Sequence, residues 1–328
     1  MNKVKETSFG TVASDWNFIR ADLFCQRVTD GTHDSPKPQT TGKHLITSKH
    51  IRGRDVDFDS AYLITEDEFN KINLRSKVDQ WDVIISMIGE YCGFCYVERN
   101  ESIEYAVKNV GLFKTGSKLK ALWLYYFLNS KIGKSILEAN KSGTSQPYLS
   151  LGFLRELPVL YPPTDNEAGQ IVKVLSSLDD KIDLLHRQNK TLEALAETLF
   201  RQWFVEEVEE NWEEFCLSDI ADHIKDNINP SKRPDVFFRH YSLPVFDEGK
   251  EPKLEIGKDI LSNKYRVVSD SILISKLNPR TPRVWVINGS VDEESSICST
   301  EFQIVKPKQL SHFGFVYYFL KSYQVTNE

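Results

Sequence analysis

Two stretches of this chain carry cations with no acid among them, the side-chain pattern that neutralises phosphate and reads base edges. From Ser35 to Arg54 the sequence holds Lys37, Lys43, Lys49, Arg52 and Arg54 but no Asp or Glu. From Ser271 to Val291 it holds Lys276, Arg280 and Arg283, again without an acid. Arg and Lys pair with guanine edges or phosphates, and Asn with adenine. The expected nucleic-acid contacts are therefore Thr32, His33, Lys37, Lys43, Lys49 and Arg52 in the first half, and Lys232, Arg233, Lys276, Asn278, Arg280 and Arg283 in the second.

Three other patterns suggest different chemistry and carry less. Cys92-Gly-Phe-Cys95 has redox or zinc spacing, but no second Cys or His pair stands at comparable spacing to complete a tetrahedral site. Pro234-Asp235 followed by Glu248-Gly249-Lys250 has the order of a metal-dependent nuclease, two carboxylates and a lysine, a match that chance supplies easily in a chain that is 27% charged. Asn278-Pro279-Arg280 has Arg and Thr where an adenine methyltransferase places a proline and a base-stacking aromatic. No phosphate loop of the Gly-x-x-x-x-Gly-Lys-Ser/Thr kind occurs. The expectation is a chain without catalytic residues, metal ligands or cofactor of its own.

The elements that position these residues come twice. Residues 81–130 recur loosely at 269–322, with Tyr125-Tyr126-Phe127-Leu128 matching Tyr317-Tyr318-Phe319-Leu320 and, more weakly, Trp16 matching Trp212. Trp81–Ile88, Phe94–Val97 and Ser271–Ser275 read as buried strands, and 119–128, 131–139 and 313–320 as helices. Between the copies, after Leu157-Pro158-Val159-Leu160-Tyr161-Pro162-Pro163, apolar positions alternate at four and three residues. They are Ile171, Leu175, Leu178, Ile182, Leu185, Asn189, Leu192, Ala196, Leu199 and Trp203. No Gly or Pro interrupts from Gln170 to Val205. Roughly 40 residues make a helix of about 60 Å, and the seam calls for a partner helix, with Asn189 fixing register.

The expected fold class is α+β: two homologous mixed α/β domains at 12–163 and 208–328, joined by a coiled-coil-forming helix at 164–207. The 328 residues suffice for two cores, and 40% hydrophobic content indicates folded protein. Net charge of −6 argues against a uniformly basic DNA coat. Five scattered cysteines and no long apolar run predict a cytoplasmic protein. The repeat offset is 192 residues, Phe127 mapping to Phe319. A complete second copy with its own helix would run about 70 residues past Glu328.

Gly143-Thr144-Ser145-Gln146, Leu157-Pro158-Val159-Leu160, Asp30-Gly31-Thr32-His33-Asp34-Ser35-Pro36 and Lys276-Leu277-Asn278-Pro279-Arg280, set on two α/β units and a heptad helix, resemble the specificity subunit of type I restriction–modification enzymes. The resemblance covers essentially the whole chain and implies non-catalytic target recognition domains. Each would read one half of an interrupted site in double-stranded DNA, with the helix as spacer and dock. It implies partners: adenine methyltransferase subunits and a restriction subunit, to which S-adenosylmethionine, ATP and Mg would belong. A second copy or a separate fragment would supply the missing helix. The rival readings are a scaffold that binds only proteins and a stand-alone nuclease.

Overall fold

The computed structural model describes residues 4–7, 10–143, 145–209, 211–278 and 282–322. The chain divides into two compact units, Met1–His186 and Arg187–Glu328, so the division falls inside the long helix.

In the first unit a four-stranded antiparallel sheet runs in the order Arg27–Asp30, Val110–Lys114, Asp82–Ser86, Cys95–Val97. Its central strand Asp82–Ser86 is buried at every position. Val83 and Ile85 face helix α1 (Lys118–Asn129), where they share a cluster with Leu124 and Leu128. Ile84 faces the other way, with Ile46, Val107 and Leu112. A strand covered on both faces has no need of polar alternation, which is why Val83, Ile84 and Ile85 follow one another without a polar residue between them. The second layer is a three-stranded sheet in which Lys43–Thr47 lies parallel to Tyr105–Lys108 and antiparallel to Leu63–Ile64. Strand Asn17–Arg20 pairs antiparallel with Pro158–Tyr161.

From there the chain enters helix α2 (Asp165–Arg201), whose first half belongs to this unit. Thr164 Oγ1 accepts from the backbone of Glu167, and Glu167 accepts from the Trp16 indole. Ala168 and Val172 are buried and Ile171 packs against the same core, so the start of the seam is used within the unit. Arg54 donates to Asp179 and Asp183, and the Tyr126 hydroxyl also donates to Asp179.

The second unit repeats this plan. Its antiparallel sheet runs Ala221–Ile224, Phe302–Pro307, Ser271–Ser275, Val284–Ile287, the same order as in the first unit. Ile272 faces helix α3 (Phe313–Lys321) with Val316 and Leu320, and Leu273 faces the opposite layer with Trp285 and Ile304. The second layer again contains one parallel pair, Phe237–Tyr241 with Ser296–Ser299, in a sheet of five strands instead of three. Both units place a non-glycine residue of positive φ immediately before the central strand, Trp81 (67°) and Asp270 (52°). The architecture is α+β, two homologous mixed units joined by a long helix.

The long helix expected at 164–207 is present and changes type at its end. The α-helix stops at Arg201 and a π turn spans Gln202–Glu206. Arg201–Glu206 pair as ions at 3.1 Å, and Gln202 Nε2 donates to Glu207 Oε1 at 2.8 Å. Both are five-residue spacings that suit the wider turn. Trp203 therefore sits in the π turn and not on a continued heptad.

Along α2, Leu178, Ile182, Leu185, Asn189 and Leu192 are exposed, while Leu175, Ala196 and Leu199 are half-buried. No helix among the described residues is long and apolar enough to cross a membrane.

Candidate nucleic-acid interface

In the first unit, four of the candidate side chains gather where the parallel pair ends. Thr32 forms a parallel bridge to Lys108, the last residue of Tyr105–Lys108. Gly31 makes that approach possible, because a Cβ there would lie 2.6 Å from the Val107 carbonyl. His33, 64% exposed, donates from Nε2 to buried Asp30 at 3.0 Å and sets Nδ1 3.0 Å from Asn109 Oδ1. Arg75 donates to the other Asp30 oxygen at 2.7 Å. Asn109 turns the chain with φ of 55°.

Buried Ser48 joins three segments at this end. Its hydroxyl donates to the Asn109 carbonyl and accepts from the backbone of Met87 at 3.1 Å and of Ile88 at 3.3 Å. Lys49 follows, exposed and without an ion-pair partner among the described residues. Arg52 stacks its guanidinium 4.2 Å from the Tyr91 ring centroid, and its contact with Asp57 is long at 3.6 Å. The loop 141–149 docks alongside: Gly89 donates to the Pro147 carbonyl and Leu149 to that of Met87.

Thr32, His33, Lys49 and Arg52 thus share the C-terminal end of the parallel pair. Lys43 does not. It begins the strand that Lys49 and Arg52 follow, and it pairs with Glu104 at 3.0 Å at the opposite end. Lys37 lies exposed in the extended segment between, two residues before Gln39 bridges to Leu63. Sequence adjacency had grouped these cations, and the strand between them separates them.

The second unit divides its cations the same way. Lys276 leaves strand Ser271–Ser275 at the end where Ser296–Ser299 finishes, its Nζ donating to the Thr300 carbonyl at 2.8 Å. Asn278 follows with φ of 52°. Arg283 is held by both oxygens of Asp247, at 2.8 and 2.9 Å, so its fork is already engaged. Arg280 lies outside the described residues. Arg233 pairs at 3.1 Å with Glu294, just before Ser296–Ser299 begins, which puts it at the opposite end as Lys43 is in the first unit. Exposed Lys232 adjoins it, with no ion-pair partner among the described residues.

Sequence reasoning passed over Ser48, Asn109, Arg75, Tyr91 and Lys108. Local polarity gave no signal for them, because their partners are distant in sequence; only Gly31, in its Asp-Gly-Thr-His setting, marked the close approach.

The other candidate patterns take ordinary places. Burial pushes the Cys95 thiol up to about 12 and also raises Cys92, which lies in the turn joining two antiparallel strands. Thiols so shifted are poor ligands and nucleophiles at neutral pH. Asp235 precedes strand Phe237–Tyr241, whereas Glu248 caps the short helix after it and pairs with Lys253. The two carboxylates stand at opposite ends of one strand. No cluster of metal-binding side chains occurs among the described residues.

Residues 40–194 match the family of type I restriction modification DNA specificity domains. The chain is similar to two curated proteins of Methanocaldococcus jannaschii. One is the type I restriction enzyme MjaIX specificity subunit, 34% identical over 66% of this chain. The other is the MjaVIII specificity subunit, 22% identical over 53% of it. The matched stretches span 50% and 47% of those relatives' own lengths. The fold is that of a solved type I restriction-modification S subunit from M. genitalium, with a TM-score of 0.52 at 16% identity, covering 93% of this chain and 76% of that one.

Proposed function

We propose that the chain is the sequence-reading subunit of a type I restriction–modification system, and that each unit applies the loops at the C-terminal end of its parallel strand pair to one half of an interrupted double-stranded DNA site. The observation that carries this reading is the recurrence, in both units, of a loop cluster holding cations and amides at the same end of the same strand pair. Stacked Arg52, free Lys49 and the buttressed His33 suit contact with phosphates and base edges in the first half-site; Lys276 and Asn278 suit the second. Helix α2 acts as spacer, and its exposed Leu178, Ile182, Leu185 and Leu192 as the dock for a helical partner. Methyl transfer and cleavage, with S-adenosylmethionine, ATP and Mg, belong to methyltransferase and restriction subunits, and the chain works in the cytoplasm.

A gel-shift titration with double-stranded DNA, in the presence of an adenine methyltransferase subunit, tests the reading. Binding should weaken steeply with salt. Arg52→Ala should lower affinity by about 1–3 kcal/mol and Lys49→Ala should flatten the salt slope by about one unit. Lys43→Ala, at the far end of the strand, should leave affinity unchanged. Salt-insensitive binding, or an equal loss in Lys43→Ala, overturns the proposed face. The exposed seam on α2 also favours a second reading, a scaffold binding only proteins, which predicts no DNA retention at all.

A further inference from the structure

The loop 141–149 of the first unit is fixed by its backbone, which frees the side chain of Gln146 for another task. Ser142 and Tyr148 exchange main-chain hydrogen bonds at 2.9 and 2.8 Å and close the turn 143–147 between them. Gly143 has φ of 84°, and a Cβ on it would lie 2.6 Å from the Gln146 carbonyl oxygen, so the turn needs glycine there. Tyr148 also bridges Ile88, Gly89 donates to the Pro147 carbonyl at 2.9 Å, and Leu149 to that of Met87 at 2.8 Å. Leu149 is itself buried in the core. The turn is thereby locked to Met87 and Ile88, the residues that Ser48 ties to the C-terminal end of the parallel pair.

Gln146 is exposed, and its amide makes no hydrogen bond among the described residues. Its Nε2 stands by Gly89, 3.9 Å from where a Cβ would be, and Gly89, with φ of 87°, has no side chain to cover it. Gly89 opens the turn that carries Tyr91, for the Cys92 amide donates to the Gly89 carbonyl at 3.0 Å. Tyr91 in turn holds the Arg52 guanidinium by stacking. An unpaired amide and a stacked cation are therefore carried on neighbouring turns, both hydrogen-bonded into place. Backbone held in this way has little freedom left to lose on binding. A primary amide offers two N–H donors and one carbonyl acceptor. The complementary pattern in a DNA groove is the N7 acceptor and N6 amino donor of adenine.

We propose that Gln146 reads an adenine in the first half-site, Nε2 donating to N7 and Oε1 accepting from the N6 amino group. This role rests on the DNA reading proposed above for this end of the unit, and adds to it a residue and the base that it selects. Guanine sets an acceptor, O6, where adenine has its amino group, and Oε1 would then face another oxygen. An uncharged amide displaces no counterion. Its loss should therefore change which base is chosen and leave the salt dependence to Lys49 and Arg52.

The test is enrichment of a randomised double-stranded DNA library by the full 328-residue chain together with an adenine methyltransferase subunit. The wild-type chain should select a bipartite site with adenine at one position that Gln146→Ala no longer distinguishes, preference there falling at least about 10-fold. The other positions and the salt slope should stay as they were. Gln146→Glu, which keeps the length but has no donor, should turn the preference at that position toward cytosine, whose N4 amino group donates to a carboxylate. A wild-type chain that enriches no sequence overturns the DNA-reading role and this one with it. A wild-type bipartite site that Gln146→Ala leaves unchanged at every position overturns the role of Gln146 alone. An equal loss on all sequences makes Gln146 a phosphate contact and likewise overturns base reading.

Discussion

Trp123 and Phe315 occupy one position of a repeated plan and lead different lives. The first is sealed beneath Leu160 and Tyr161; the second borders an open groove. Sheet order and the direction of the parallel pair are shared by the two units, so these features do not depend on how the helix face is closed. The segment that covers Trp123 is a layer apart from the sheets.

The comparison can be broken most directly at those two positions. Trp123→Ala should cost about 3–5 kcal/mol, as expected for a buried aromatic that also loses a hydrogen bond. Phe315→Ala should cost about 1–2 kcal/mol, because its site is already partly solvated. Urea titrations followed by fluorescence would check both, and equal costs would mean that the groove is closed in solution. A smaller effect sharpens the contrast in how each unit holds α2. The first uses Arg54 across Asp179 and Asp183; the second uses Tyr317 and Lys321 on Glu193. Arg54→Ala should cost about 1–3 kcal/mol by leaving half-buried Asp179 without its cation. Lys321→Ala, on a more exposed carboxylate, should cost under about 1 kcal/mol. Thermal unfolding would rank them.

The smallest expected effect is one the units share. Burial lowers the imidazole pKa of His50 and of His240 below the ordinary 6.5. The unfolded chain then binds more protons than the folded one, so this contribution is full above pH 6.5 and is lost as pH falls below it. His50→Gln should flatten the acid side of the first unit's stability profile and His240→Gln that of the second. A profile unchanged in either variant would remove that residue from the account.

Much of this was legible in the sequence, and the reason is physical. Tyr125–Leu128 and Tyr317–Leu320 lie on helices packed against a sheet, and the strands beside them each hold three consecutive apolar residues, Val83-Ile84-Ile85 and Ile272-Leu273-Ile274, so the repeat survives in residue type. The heptad spacing of α2 is likewise local. The loop cluster was only half legible: Ser48 reaches Asn109 across 61 residues and Met87 across 39, and no local pattern encodes such contacts. The run from Ser35 to Arg54 misled for the converse reason. It reads as one basic patch, yet strand Lys43–Thr47 carries its two ends apart.

The π turn at Gln202–Glu206 has a consequence for anything that lies along α2. A π turn holds about one residue more than an α turn, which takes its own side chains off the stripe before it. The side chains of Gln202–Glu206 thus leave the line set by Leu178, Ile182, Leu185 and Leu192, and a helix that followed that line would lose contact at Arg201.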